Sequence, residues 1–288
     1  MRRTLGTYAC LSLAVILVSQ STLTKAEDGT WTLNLGLLEA SKKGESALVA
    51  SRLAEGAAVN TRDRFGNSAL IYAVRGNHLE TINVLVDAGA NLNQANVNGI
   101  TPLFEAAGGR HIETVRLLLH KGADPNIVNM QQVSPLANAV FNKSAAIVDL
   151  LLESGANPDV VDDTGKSSAV YAAANGETQI LKRILGVSTA LENAVDTRYQ
   201  HGLTLMMWAA GYGHVDTVKM LVDRGAVLDL ADDRGRTAMM IGAENGHGDV
   251  VAFLLQSGAD ADRRDRDGRT ARDLASLADQ SEILGILN

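Results

Sequence analysis

Six glycines recur along this chain at one interval: Gly66, Gly99, Gly165, Gly202, Gly235 and Gly268. The gaps are 33, 66, 37, 33 and 33, and the 66 is two periods with Gln132 at the vacant place. A second set, Gly56, Gly89, Gly122, Gly155, Gly225 and Gly258, gives 33, 33, 33, 70 and 33, where 70 is 33 plus 37. Two independent series share one period and one four-residue insertion. A unit of this size cannot bury its own apolar faces, whereas stacked copies bury them against their neighbours.

Each period reads alike. "DRFGNSALIYAVRGNHLETINVLVDAGANLN", Asp63 to Asn93, and "DDRGRTAMMIGAENGHGDVVAFLLQSGADAD", Asp232 to Asp262, begin with a polar turn carrying Gly. Ser or Thr follows where a helix N-cap belongs, at Ser68, Thr101, Ser134, Thr204 and Thr237. Pro102 and Pro135 then occupy the favoured first helical position. A short Ala-rich helix ends at Gly or Asn. The second helix carries Leu and Val at i, i+3 and i+4 and stops at Gly-Ala, where Gly takes a left-handed cap. Leu85, Leu118, Leu151, Leu221 and Leu254 are expected in the core, with small residues such as Ala73, Ala106 and Ala209 allowing close stacking.

This pattern resembles the ankyrin repeat, a turn and two helices with a T-P-L-H-x-A signature. The resemblance covers about Leu33 to Leu287 in eight units and implies an all-α solenoid of stacked helix-turn-helix units with β-turn fingers. "LGLLEASKKGESALVASRLAEGAAVN" is expected to be an N-terminal cap, and "DGRTARDLASLADQSEILGILN", with Arg272 and Asp273, a C-terminal one. The signature His is missing; Ile71, Phe104, Ala137, Val170, Met207 and Met240 stand there. Whatever the imidazole does for the turn is expected to fall to packing. The Asn129–Lys143 unit lacks its turn Gly and has Lys143 between its helices, so it is expected to be the least regular. The insertion falls in "GVSTALENAVD", Gly186 to Asp196, and should extend or add a helical turn.

Residues 1–26 read as a signal peptide ahead of a repeat domain over 27–288. Arg2 and Arg3 precede the apolar run "ACLSLAVILV", and Ala26 is the expected last leader residue. The run is shorter than the roughly 20 residues that span a bilayer. Cleavage removes Arg2, Arg3 and Lys25, leaving 26 − 3 = 23 basic residues against 33 acidic, a net charge of −10. That balance argues against nucleic acid. Cys10, the single cysteine, also leaves, which suits an oxidising compartment. The mature chain is expected to be an exported monomer without a stable membrane span, periplasmic or extracellular.

No catalytic, cofactor or metal motif emerges. His78, His111, His214 and His247 share one repeat position that is structural in the family, and successive copies would stand too far apart to share an ion. "DRDGRTARDL", Asp265 to Leu274, lacks the acids of a calcium loop. The resemblance implies instead a concave face of turn tips and first helices that binds protein. Positions the repeat leaves free there are Phe65, Met130, Val133, Phe141, Tyr199, Leu203 and Tyr212, with Arg64, Arg75, Arg234 and Glu244 beside them. Aromatics and Arg are enriched at binding hot spots. Tyr199 and Tyr212 are the expected anchors, and Trp208 is expected in the core. The leading reading is a non-enzymatic scaffold for a protein partner. An inhibitor or immunity protein for a secreted toxin, and an effector released to a host, are the alternatives.

Overall fold

The computed structural model describes residues 29–187 and 194–287, which form two compact units divided between Val97 and Asn98. The expected leader and residues 188–193 of the insertion lie outside the described residues. The first unit holds α1 (29–43), α2 (Ser46–Ala54), α3 (Ala69–Arg75) and α4 (Leu79–Asp87). Its first helix is already formed at residue 29, ahead of the expected Leu33. The second unit holds α5 (Pro102–Gly108), α6 (Ile112–His120), α7 (Pro135–Phe141), α8 (Ala145–Glu153), α9 (Ser168–Ala174) and α10 (Thr178–Val187). It continues with α11 (Leu205–Gly211), α12 (Val215–Asp223), α13 (Ala238–Glu244), α14 (Gly248–Gln256), α15 (Ala271–Leu277) and α16 (Ser281–Ile286). Among the described residues there are no strands beyond two isolated bridges. The architecture is a solenoid of stacked helix pairs.

The helices are short because both ends are set chemically. Ser68, Thr101, Ser134, Thr204 and Thr237 are extended N-caps whose hydroxyls accept from the amide three residues on. Ser167 and Thr270 do the same. Each such cap is worth about 1 kcal/mol. The role expected of packing at the missing signature His is filled chemically in three repeats. Met207 Sδ accepts from the Thr204 amide and Met240 Sδ from the Thr237 amide, both at 3.4 Å. Asp273 Oδ2 accepts from the Thr270 amide at 2.9 Å. All three cap amides thus gain an acceptor that Ile, Ala or Val cannot offer.

The expected irregularity of Asn129–Lys143 is not found. Helices α7 and α8 have 7 and 9 residues, like α5 and α6. Gln132 (φ 60°) and Lys143 (φ 56°) adopt the left-handed conformation that glycine takes elsewhere, so the backbone keeps its course at about 1–2 kcal/mol of strain per residue. Room explains why Lys143 is tolerated. At the matching place, a Cβ on Gly176 would lie 2.6 Å from His214 Nδ1, and one on Gly213 2.7 Å from His247 Nδ1. After Lys143 the next repeat puts Glu177 where those rings would be, and the two side chains pair at 3.2 Å.

Repeats also bond to one another through polar ladders. Asn126 Oδ1 accepts from Asn157 N at 2.8 Å, Asp196 Oδ1 from Val227 N at 3.0 Å and Asp229 Oδ1 from Asp260 N at 3.1 Å. Asp196 closes the insertion, so the ladder resumes in register immediately after it. The insertion lengthens α10 to 10 residues and adds a 3-10 turn at Ala194–Asp196. Leu85, Leu118, Leu151, Leu221 and Leu254 are fully buried, as are Ala73, Ala106 and Ala209. Each leucine contributes about 2 kcal/mol of burial.

Candidate functional site

One acidic or amide side chain organises each of five fingers. Asp162 Oδ1 accepts from the amides of Thr164 and Lys166, Asp232 Oδ1 from those of Arg234 and Arg236, and Asp265 Oδ1 from those of Asp267 and Arg269. Asn129 Oδ1 serves Gln131 and Val133 in the same way, and in the first unit Asp63 serves Phe65 and Asn67. Tyr199 stands at this position in a finger that differs. That finger keeps its Tyr199 N to Leu203 O bond but forms a 3-10 turn with His201 left-handed at φ 63°.

The second carboxylate oxygen decides what happens on the neighbouring helix. Asp232 Oδ2 holds Arg236, and Asp265 Oδ2 holds Arg269. Asp162 Oδ2 instead accepts from the Tyr171 hydroxyl. Burial pushes the Asp162 carboxyl up, but the bonds from Tyr171, Thr164 and the backbone outweigh it and hold the group below its ordinary range. Burial and this hydrogen bond push the Tyr171 hydroxyl up to about 12. Lys166, equivalent in its finger to Arg236 and Arg269, is left without that carboxylate oxygen. Its ammonium sits 5.9 Å from the Tyr171 ring centre and 5.5 Å from that of Trp208.

Aromatic rings thereby run across three consecutive repeats. Phe141 meets Tyr171 edge-on at 6.1 Å; Lys166 bridges Tyr171 and Trp208; Trp208 stacks on Tyr212 at 6.4 Å with an interplanar angle of 9°. Beside the last pair, Met207, Ile241, Arg236 and Glu244 close a cleft of about 440 Å³. Arg236 spans it, bonded to Asp232 and to Glu244 Oε2 at 3.0 Å. Among the described residues the buried Trp208 Nε1 has no hydrogen-bond partner. In the Asp162 finger the ring at this helix position gives its hydroxyl to the finger carboxylate, but the Trp208 repeat has Tyr199 in place of that acid.

The sequence matches the profile of ankyrin repeats (three copies) over residues 37–129, 136–232, 169–265 and 226–287. The chain belongs to the ankyrin repeat family. Its ankyrin repeats make it a protein–protein interaction module. The unmatched residues 130–135 are those of the finger that lost its glycine. The crystal structure of the human ASB11 ankyrin repeat domain is similar, with a TM-score of 0.68 and 30% identity, covering 77% of this chain and 96% of that one. Comparison with curated proteins found no match.

On this ankyrin scaffold the expected contact residues fall into distinct settings. Phe141 (61% exposed), Tyr212 (58%) and Met130 (63%) present exposed side chains, and Phe65 (51%) does so in the first unit, under the Arg64 guanidinium at 4.7 Å. Val133 and Leu203 are half-buried, and Leu203, Tyr212 and Glu244 meet at the Trp208 cleft. Arg234 and Arg75 are exposed, and Arg75 lies 5.8 Å from the Tyr72 ring centre. Tyr199 is half-buried, and burial raises its hydroxyl above the ordinary range. Much of the ring area expected there for a partner is covered within the chain. Trp208, expected in the core, lies half-buried on the cleft wall, because its helix position is the one facing the fingers. Tyr171 and Lys166 were missed. The signal available was an aromatic nine residues after the finger acid, at Asp63/Tyr72 and Asp162/Tyr171. Of the histidines at the shared repeat position, His214 Nε2 lies 2.9 Å from Ala174 O and His247 Nε2 3.0 Å from Gly211 O.

Proposed function

We propose that this protein is an exported, non-enzymatic binding module that holds or scaffolds a protein partner in the periplasm. The observation that carries the reading is the aromatic run of Phe141, Tyr171 and Trp208 on successive first helices, with Tyr212 at the end of the last of them. Aromatic rings give large contact area at low rotamer cost and concentrate at hot spots. A preformed stack also loses little ordering entropy on association. The leader reading supports export, with cleavage near Ala26 and a mature chain beginning near Glu27.

Crosslinked capture from the periplasm, followed by mass spectrometry, tests this. A specific partner is expected, captured far less well by Tyr212→Ala. Loss of such an anchor costs about 2 kcal/mol or more, roughly 30-fold in affinity. Melting should be unchanged, because the Tyr212 ring is mostly exposed. Recovery of an intact chain that still carries Cys10 would contradict export with cleavage.

A further inference from the structure

Among the described residues two donors on the aromatic run lack acceptors, and both lack them for the same reason: the finger acid that serves this place elsewhere is otherwise engaged or replaced. In the Arg236 and Arg269 fingers the basic side chain after the turn glycine is neutralised by its own Asp. In the Lys166 finger, Tyr171 occupies that oxygen of Asp162. Lys166 forms no ion pair among the described residues and rests half-buried between two rings. In the next repeat Tyr199 replaces the acid, and the enclosed Trp208 Nε1 has no partner among the described residues. Cation–π contact offsets only part of what a half-buried ammonium loses in water. A carboxylate would give a charge-assisted bond to the ammonium, whereas the Trp208 indole N–H is enclosed within the chain and offers a partner only the face of its ring.

We infer that Lys166, held between the Tyr171 and Trp208 rings, receives a carboxylate of the protein partner, an Asp or Glu on an acidic segment whose apolar neighbour enters the cleft against Tyr212, Met207 and Ile241. This deepens the binding reading and rests on it. The carboxylate bonds Lys166 Nζ; the apolar neighbour lies against the Tyr212 ring, where Arg236 is already neutralised by Asp232 and Glu244. The net negative charge of the chain slows the encounter at low salt, but screening over about 8 Å at physiological ionic strength leaves the local contact to decide.

The chain has two tryptophans, so each indole N–H gives a separable signal in a nitrogen–proton spectrum, and the exposed Trp31 is an internal reference. The probes are acetyl-Glu-Leu-Glu-Leu-amide, its counterpart with Lys for both Glu, and inorganic phosphate, each at millimolar concentration. The acidic peptide should move the Trp208 signal and leave Trp31 still. Lys166→Met, which keeps the stem and removes the charge, should weaken that titration about tenfold, and Lys166→Arg should restore most of it. No Trp208 shift, an equal shift with the basic peptide or with phosphate, or full affinity in Lys166→Met overturns the assignment. Partner capture separates the two readings. Equal capture by wild type and Lys166→Met removes the carboxylate site and leaves the binding reading standing. An acidic-peptide titration with no partner captured by the wild type does the reverse.

Discussion

Residues 129–203 and 204–270 are built on the same repeat, yet they satisfy it differently. In the later stretch, the Trp208 indole apart, the requirements of the turns and caps are met by residues that suit them. Gly213 and Gly246 take positive φ, Asp232 and Asp265 hold their fingers and their arginines, and Met240 completes a cap. In the earlier stretch Gln132 and Lys143 carry positive φ, Tyr171 takes the oxygen that a cation uses elsewhere, and Tyr199 replaces the finger acid. The backbone course survives each substitution. What changes is local stability and which polar groups remain free to bind. A repeat fold therefore tolerates departures one at a time, and departures in adjacent repeats place unsatisfied donors side by side.

The largest expected effect lies in the later stretch. Gly213→Ala combines positive φ with a Cβ 2.7 Å from the His247 imidazole. About 3 kcal/mol of destabilisation is expected from strain and overpacking together. Gly258→Ala, at φ 92° with open space around the added Cβ, should cost only about 1 kcal/mol. Chemical denaturation of both variants decides it. Equal losses would mean that the backbone alone, and not the histidine ring, requires glycine at position 213.

Asp232→Ala comes next. It strips the acceptor from two finger amides and leaves Arg236 with Glu244 alone. A loss of about 2 kcal/mol in unfolding free energy is expected. A loss within a few tenths of a kcal/mol would show that the finger holds itself by its backbone, as the Tyr199 finger does.

The Asp162–Tyr171 pair sharpens the comparison through pH. The folded Tyr171 hydroxyl titrates at about 12, above its ordinary 10. Its contribution is therefore complete below pH 10 and is lost as pH rises from there toward 12. Tyr171→Phe should be less stable than wild type at neutral pH, and the gap should close in that alkaline window. A gap that stays constant from pH 8 to pH 12 would contradict the raised value.

The smallest effect is a gain. Gln132→Gly removes left-handed strain and should stabilise by about 0.5–1 kcal/mol after the added chain entropy is counted. A loss would mean that the Gln132 side chain makes a contribution exceeding its strain.

Much of this was legible in the sequence. The glycine series, the Ser and Thr caps, the leucine layers and the exposure of Phe141 and Tyr212 follow from period and residue type. The left-handed places held by Asn77, Arg110, Lys143 and Asp279 were only partly legible, because a non-glycine residue does not announce positive φ. Trp208 was misplaced because an aromatic in an Ala-rich helix reads as core until the face toward the fingers is known. The freed Lys166 depends on which of two groups wins one oxygen of Asp162, and residue spacing alone does not decide that competition.

Hydrogen exchange read by mass spectrometry on the intact chain tests the central claim, that departures from repeat chemistry lower local stability between 129 and 203. Peptides from α7 to α10 should exchange faster, with opening free energies lower by about 1–2 kcal/mol than those from α11 to α14. Equal protection across both stretches, or faster exchange in α11 to α14, would contradict it.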